Sequence, residues 1–351
     1  MSVLVAMSGG VDSSVAAFLM SEKYKNSCHG ATMILFNACS NENNINDAKA
    51  ICERLKIPHS VINYEAEFKK RVIENFIETY ERGGTPNPCI ECNKYLKFGA
   101  LFDHAKNSGL NKIATGHYAI IERSSSGRYL LKKAHDTARD QSYVLYVLSQ
   151  KILSCVEFPL GGMTKSEVRN LAAQLNFINS NRTDSQDICF VPDGNYAGFI
   201  KNQTGKNYSP GNFIDTSGKI LGVHKGIINY TAGQRRGLGV SAPTRLFILK
   251  IDPESNNITL APENDDELYF KSVKLKNINL IALDKIENFL NARVKIRYRQ
   301  NEIPAKIFQT DENNLAVEFQ QPQLTPAIGQ SCVIYDDDYV IGGGIIAEAC
   351  K

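Results

Sequence analysis

No apolar run in these 351 residues approaches the roughly 18 needed to cross a bilayer, so no membrane contact is expected. The N-terminus has neither a basic stretch nor a small-residue cleavage site, which argues against a secretory leader. Charge of one sign is not in excess: 40 Lys and Arg stand against 37 Asp and Glu, a net charge of +3. Any nucleic-acid contact therefore has to come from local patches. Nine cysteines are an odd number scattered over a long chain, which does not suit a secreted disulfide framework. Internal repeats and low-complexity stretches are absent as well. A cytoplasmic protein with mostly reduced thiols is the expectation, and 43% hydrophobic residues are enough to bury a core.

At roughly 150 residues per domain, the length predicts two or three domains. The first half alternates short apolar runs with helical patterns. Val3–Met7, Ala31–Phe36, Ser60–Ile62 and Lys112–His117 read as strands. Helices are expected after Val11 and over Asn46–Leu55, Glu65–Tyr80 and Lys94–Lys106. Strands alternating with helices imply an α/β domain with a parallel sheet. After about residue 200, Gly, Pro, Asn and Asp recur between short alternating runs such as LFILKI, ITLAP and NLAVEF, an all-β pattern. The expected organisation is an α/β domain at 1–199 and two small β-rich domains at 200–270 and 271–351.

Directly after the first strand comes SGGVDSS, Ser8 to Ser14. A strand, a Gly-Gly turn and a helix set backbone N–H groups and a helix N-terminus against an anion. Ser8, Ser13 and Ser14 add hydroxyls, while Asp12 adds a carboxylate that makes sense beside phosphates chiefly with Mg²⁺ between them. The lysine of the usual P-loop is missing. A plain capped turn would use similar residues, but the strand context and the full pattern favour nucleotide.

Cys89 and Cys92 lie in TPNPCIECNKYLKF, and Cys189 in DSQDICF. One C-x-x-C without a second does not complete a zinc site. Cys92 stands just ahead of the helix expected from Lys94, beside Lys94 and Lys97. A helix N-terminus lowers a thiol below its usual value of roughly 8.5, which would make Cys92 the better activated of the pair. Cys28, Cys39, Cys52, Cys155, Cys332 and Cys350 read as small hydrophobes or incidental thiols.

SGGVDSS resembles the PP-loop of ATP pyrophosphatases, which cleave ATP between the α and β phosphates. Together with TPNPCIECNKYLKF, ATGHYA, RDQSYVLY, DSQDICF, GQRRGLG, RYRQNEIPA and GGGII, it makes the chain similar to the tRNA-specific 2-thiouridylase (MnmA) family, from the first strand almost to the end. The resemblance implies a Rossmann-like, HUP-type PP-loop domain, a central tRNA-contacting adaptor and a C-terminal β-barrel. It implies ATP-driven adenylation of C2 oxygen on the wobble uridine of the tRNAs for Lys, Glu and Gln, then sulfur transfer with loss of AMP. Cys189 would carry a persulfide, and Cys92 would be the nucleophile, closing a transient disulfide with it. A persulfide has to be cleaved at its S–S bond, and a second thiolate is the natural attacking group.

By the same resemblance, ATP with Mg²⁺ would meet Ala6, Met7, Ser8, Gly9, Gly10, Val11, Asp12, Ser13, Met33 beyond the second strand, and Gly116. Asn87, Pro88 and Cys89 would meet the target base, although some relatives carry Asp at the Cys89 position. tRNA would meet His117, Arg139, Asp140, Gln141, Arg297, Tyr298 and Gln330. Sulfur would come from a sulfur-relay protein or a cysteine desulfurase. Arg293, Lys295, Arg297 and Arg299 fall at every second position, so a strand would present all four on one face, opposite Val294, Ile296 and Tyr298. An alternative places an iron–sulfur cluster on Cys89, Cys92 and Cys189 as sulfide carrier. Another PP-loop ligase is a further alternative, but an amidating one needs a glutaminase that this chain shows no sign of.

Overall fold

A computed structural model of the chain describes residues 1–36, 42–182 and 188–351. Its first unit comprises Met1–Val72, Cys89–Pro192 and Asp338–Ile341. There β1 (Val3–Ala6), β2 (Cys28–Ile34), β3 (His59–Asn63), β4 (Lys112–Ala114) and β5 (Val156–Glu157) form one parallel sheet in the order β3-β2-β1-β4-β5. Only a strand covered on both faces is apolar at every position, and Val3, Leu4 and Val5 are all buried. Val3 and Val5 join Val11, Val15, Ala16, Ala17 and Met20 of α1 (Val11–Tyr24), Ala48, Ile51 and Cys52 of α2 (Glu42–Arg54), and Val168 and Ala172 of α3 (Lys165–Gln174). Leu4 alternates to the other face, with Ala31, Leu101, Phe102, Leu110 and Ile113. The strand order reverses between β1 and β4, so a crevice opens beyond their carboxyl ends.

A helix was expected to begin at Lys94, but it begins at Pro88. Pro88–Glu91 is α-helical, Cys92–Ala100 is π-wound and Leu101–Asn107 is α-helical again. Proline has no N–H to leave unpaired and its φ is preset, so it starts a helix well. Cys92 therefore lies inside the helix rather than ahead of it.

The second unit comprises Ile73–Pro88, Asp193–Asp337 and Gly342–Lys351. One sheet orders Leu246–Asp252, Asn257–Pro262, Gly211–Ile214 and Ile220–His224 side by side. A second set of six strands, from Tyr269–Leu280 onward, closes into a barrel where Tyr269–Leu280 pairs with the final strand. The mixed α/β class, with a parallel-sheet domain and β-rich domains after it, is as the sequence implied.

The four-cation strand face is not formed. Leu290–Lys295 ends two residues short of Arg297, and 296–300 turn away. The guanidinium of Arg297 is drawn to the carbonyl of Thr325 at 2.9 Å, and Gln300 N–H closes the turn on Arg297 O at 3.2 Å. Arg293 is engaged as well, donating to Glu302 O at 3.0 Å. Among the described residues no helix is long and apolar enough to cross a membrane.

Candidate active site

The loop after β1 is built for close backbone approach. Gly9 has φ +74°, and any side chain there would run into the backbone of Asn44. Gly10 is the N-cap of α1 and has no side chain to cap it, so the first-turn amides keep no internal acceptor of that kind. Ser13 Oγ donates to Gly10 O at 2.9 Å and accepts from Ser8 N–H at 3.2 Å, folding the loop back on the helix. Gly116 follows β4 across the switch point. A Cβ there would stand 2.9 Å from Asp12 C and Ser13 N, so glycine alone lets the chain beyond β4 approach the first turn of α1 this closely. Met33 lies within β2, not beyond it, and packs with Ala6 on the Leu4 face of the sheet.

Gly116→Ala is expected to displace the start of α1 and to weaken ATP binding by about 5- to 150-fold, as overpacking of this kind costs about 1–3 kcal/mol. Calorimetric titration with ATP checks this; an unchanged affinity would contradict the close approach.

The lysine missing from the loop is present in space. Lys165, at the first position of α3, places Nζ 2.7 and 2.8 Å from the two oxygens of Asp12, and Tyr118 Oη donates to the same carboxylate at 2.8 Å. Lys165 is 8% exposed. A cation at the positive end of a helix opposes the helix dipole, so a specific partner has to hold it there. Thr164 and Glu167 form a capping box around it. That T-x-x-E signal, with lysine as its second residue, is how the sequence could have pointed to Lys165.

Cys92 is 8% exposed, and burial pushes its thiol up to about 12 against a smaller opposite pull from Lys97. The expectation of a thiol activated by a helix N-terminus is thus overturned: desolvation of the thiolate outweighs the nearby cation. Cys89 keeps an open side to solvent, yet protein crowds its other sides and burial raises it too, again with Lys97 pulling down. Cys189 is exposed, and each of the three thiols lies within electrostatic reach of another. None of the three is joined in a disulfide. Asp184 to Asp187 of the DSQDICF motif, and Cys39, lie outside the described residues.

Iodoacetamide labelling of Cys92 is accordingly expected to be slow at neutral pH and to climb about tenfold per pH unit, as the thiolate does below its pKa. Labelling of Cys92 that is fast and flat in pH would show a stabilised thiolate instead.

His117 is buried between Phe98 and Phe158, with ring centroids 5.8 and 5.9 Å away. Its Nε2 faces Lys97 Nζ at 3.5 Å and its Nδ1 faces Thr115 Oγ1 at 2.7 Å. An ammonium only donates, so Nε2 accepts and Nδ1 carries the proton. Burial first, and Lys97 second, hold the ring neutral, well below its ordinary pKa.

The remaining tRNA candidates have mixed surroundings. Asp140 accepts from Ala134 N–H, Ser142 N–H and Ser142 Oγ at 3.0, 3.2 and 2.7 Å, and Gln141 Oε1 accepts from Tyr118 N–H at 2.9 Å. Both tie down their own loop and leave Arg139 exposed beside them. Tyr298 is 39% exposed with Lys295 Nζ 6.0 Å over its ring. Gln330 Nε2 donates to Thr85 O at 3.2 Å and Pro86 O at 3.0 Å, and Thr85 N–H bonds Ile328 O at 2.8 Å. Gln330 and its loop thereby clasp the segment that leads into half-buried Asn87 and buried Pro88.

A parallel-sheet domain with a phosphate loop at its switch point, followed by β-rich domains, defines a nucleotide-dependent HUP-domain protein. The family model described as "tRNA methyl transferase HUP domain" matches residues 1–193, "tRNA methyl transferase PRC-barrel domain" matches 197–262 and "Aminomethyltransferase beta-barrel domain" matches 270–346. The chain is 41% identical to the tRNA-specific 2-thiouridylase MnmA of Lachnoclostridium phytofermentans over 99% of each chain. It is 43% identical to that of Geotalea uraniireducens, over 99% of this chain and 95% of the relative. The chain belongs to the tRNA-specific 2-thiouridylase MnmA family.

Proposed function

We propose that this chain is the cytoplasmic enzyme that replaces C2 oxygen of the wobble uridine by sulfur in the tRNAs for Lys, Glu and Gln. ATP enters as its Mg²⁺ complex. Uridine O2 attacks the α-phosphate, an O–P bond forms, the bridge to the β-phosphate breaks, and pyrophosphate leaves as the N3 proton departs. The loop from Ala6 to Ser13 and Gly116 would hold the phosphates, with first-turn amides of α1 facing their charge and Lys165 neutralising the Asp12 carboxylate beside them. Arg139, Arg297, Tyr298 and the Asn87–Cys89 segment would meet the tRNA. Burial raises the Cys89 thiol, which makes its thiolate scarcer as an acceptor for the N3 proton.

A sulfur-relay protein or cysteine desulfurase would load Cys189 as a persulfide. Its outer sulfur attacks C2, AMP leaves, and Cys92 thiolate attacks the inner sulfur, so 2-thiouridine departs and a Cys92–Cys189 disulfide remains for an external dithiol to reduce. In the other order, Cys92 cleaves the persulfide first and the freed sulfide attacks C2. The observation that carries the role assignment is the difference in exposure. The thiol that has to meet a donor protein is the exposed one, Cys189, while Cys92 is buried within electrostatic reach of it. Three domains, at 1–199, 200–270 and 271–351, would divide catalysis, adaptor and barrel; the ranges of the family matches support this division.

A cluster on Cys89, Cys92 and Cys189 is not supported by this arrangement. Among the described residues no three His, Cys, Asp or Glu side chains are gathered as a metal-ligand set.

Adenylation is tested by mixing enzyme, Mg²⁺-ATP and unthiolated tRNA without a sulfur donor. Release of pyrophosphate that depends on tRNA is expected. Release of orthophosphate and ADP instead would contradict cleavage between the α and β phosphates.

A further inference from the structure

We infer that Asn179, backed by Arg182, is a positioning residue that sets the orientation of the phosphate loop; this rests on the reading of that loop as the ATP site. A peptide unit is planar and trans, so its C=O and the following N–H point in opposite directions. The carbonyl of Gly9 accepts from Asn179 Nδ2 at 2.8 Å and from Arg182 Nη1 at 3.3 Å. Gly10 N–H is thereby turned to the opposite, exposed side, where Ser8 Oγ stands 3.4 Å away, at the limit of a hydrogen bond. Two successive glycines make this peptide unit unusually easy to flip. Flipped, it would aim a carbonyl at the phosphates instead of an amide.

The pin is itself held. Arg182 donates to Asp47 Oδ2 at 3.0 Å and to Asn44 Oδ1, both on α2. Asn179 is 4% exposed and gives its second amide hydrogen to Ser14 Oγ at 2.9 Å, inside the first turn of α1. Gly9 O can only accept, so the atom of Asn179 facing it is the nitrogen. Among the described residues the Oδ1 of Asn179 is buried without a partner. A buried acceptor left unpaired is costly, and an asparagine kept there at that cost is held for its two donors.

Asn179→Asp keeps the shape and replaces the donor by an acceptor facing Gly9 O. Affinity for inorganic pyrophosphate is expected to fall about 10- to 100-fold, with the KM for ATP rising in parallel. kcat at saturating ATP and the affinity for tRNA are expected to stay within about threefold of wild type. Arg182→Gln, which loosens the pin without adding repulsion, is expected to lose about 3- to 10-fold in pyrophosphate affinity. Calorimetry with pyrophosphate alone and kinetics of tRNA-dependent pyrophosphate release read both variants. If Asn179→Asp fails to melt cooperatively, Asn179→Ala and Arg182→Gln carry the test, and unchanged pyrophosphate affinity in both overturns the inference. A fall in tRNA affinity as large as that for pyrophosphate overturns it too, since it would mark a general structural role. Wild type that binds neither pyrophosphate nor ATP would instead overturn the reading of the loop.

Discussion

Lys165→Met is expected to cut kcat/KM for ATP in tRNA-dependent pyrophosphate release by about 10²–10³-fold, the scale of losing one preset charge at a reacting phosphate. The Asp12 carboxylate lies in the first turn of the phosphate loop's helix, and Lys165 spans both its oxygens. With the lysine, the pair is neutral and phosphates can approach. Without it, a bare carboxylate faces incoming negative charge. Methionine keeps most of the buried stem, so the effect is electrostatic rather than a cavity. The double variant Asp12→Asn/Lys165→Met is expected to regain part of the loss, because both charges go together. Steady-state kinetics of the two single variants and the double variant form a cycle. A Lys165→Met enzyme as efficient as wild type would show that the ion pair serves only the fold.

Cys189→Ser and Cys92→Ser are each expected to lower 2-thiouridine formation by more than about 10³-fold. Pyrophosphate release with tRNA is expected to stay within about fivefold, since neither thiol touches the phosphates in this mechanism. A serine hydroxyl cannot carry a persulfide, and at neutral pH it is far too weakly ionised to cleave one. The two variants differ in one respect. Incubated with a persulfide donor, Cys92→Ser is expected to accumulate persulfide on Cys189, whereas Cys189→Ser accumulates none there. Intact-protein mass spectrometry reads the added sulfur. Persulfide found on Cys92 in the Cys189→Ser enzyme would reverse the assigned roles.

What the sequence makes legible is whatever neighbouring residues decide. The run Val3 to Met7, two glycines and a helical period after them specify strand, turn and helix within about twenty residues, and β1, its loop and α1 stand where that pattern puts them. Gly116 comes from the family resemblance instead: the local pattern runs the strand through it to His117, whereas β4 ends at Ala114. Lys165 and Asn179 reach the loop from far along the chain, brought there by α3 and the segment after it, and no local rule joins them to Asp12 or Gly9. The π-winding of Cys92–Ala100 has no local signature either. It also alters which residues share a face. In an α-helix Lys97 would lie about 140° round from Cys92, whereas π-winding brings it to within about 50°, on the side of the thiol that it pulls down. The alternation of Arg293 to Arg299 misled for the same reason. A carbonyl 28 residues on, at Thr325, takes Arg297 out of the strand.

Mass spectrometry of nucleosides from unthiolated tRNA for Lys, Glu or Gln, after incubation with the enzyme, Mg²⁺-ATP and a persulfide donor, reads the whole reaction at once. One 2-thiouridine at the wobble position is expected for each AMP and each pyrophosphate formed. Wild-type enzyme that consumes ATP to AMP and pyrophosphate on these tRNAs yet leaves every uridine unthiolated would contradict it.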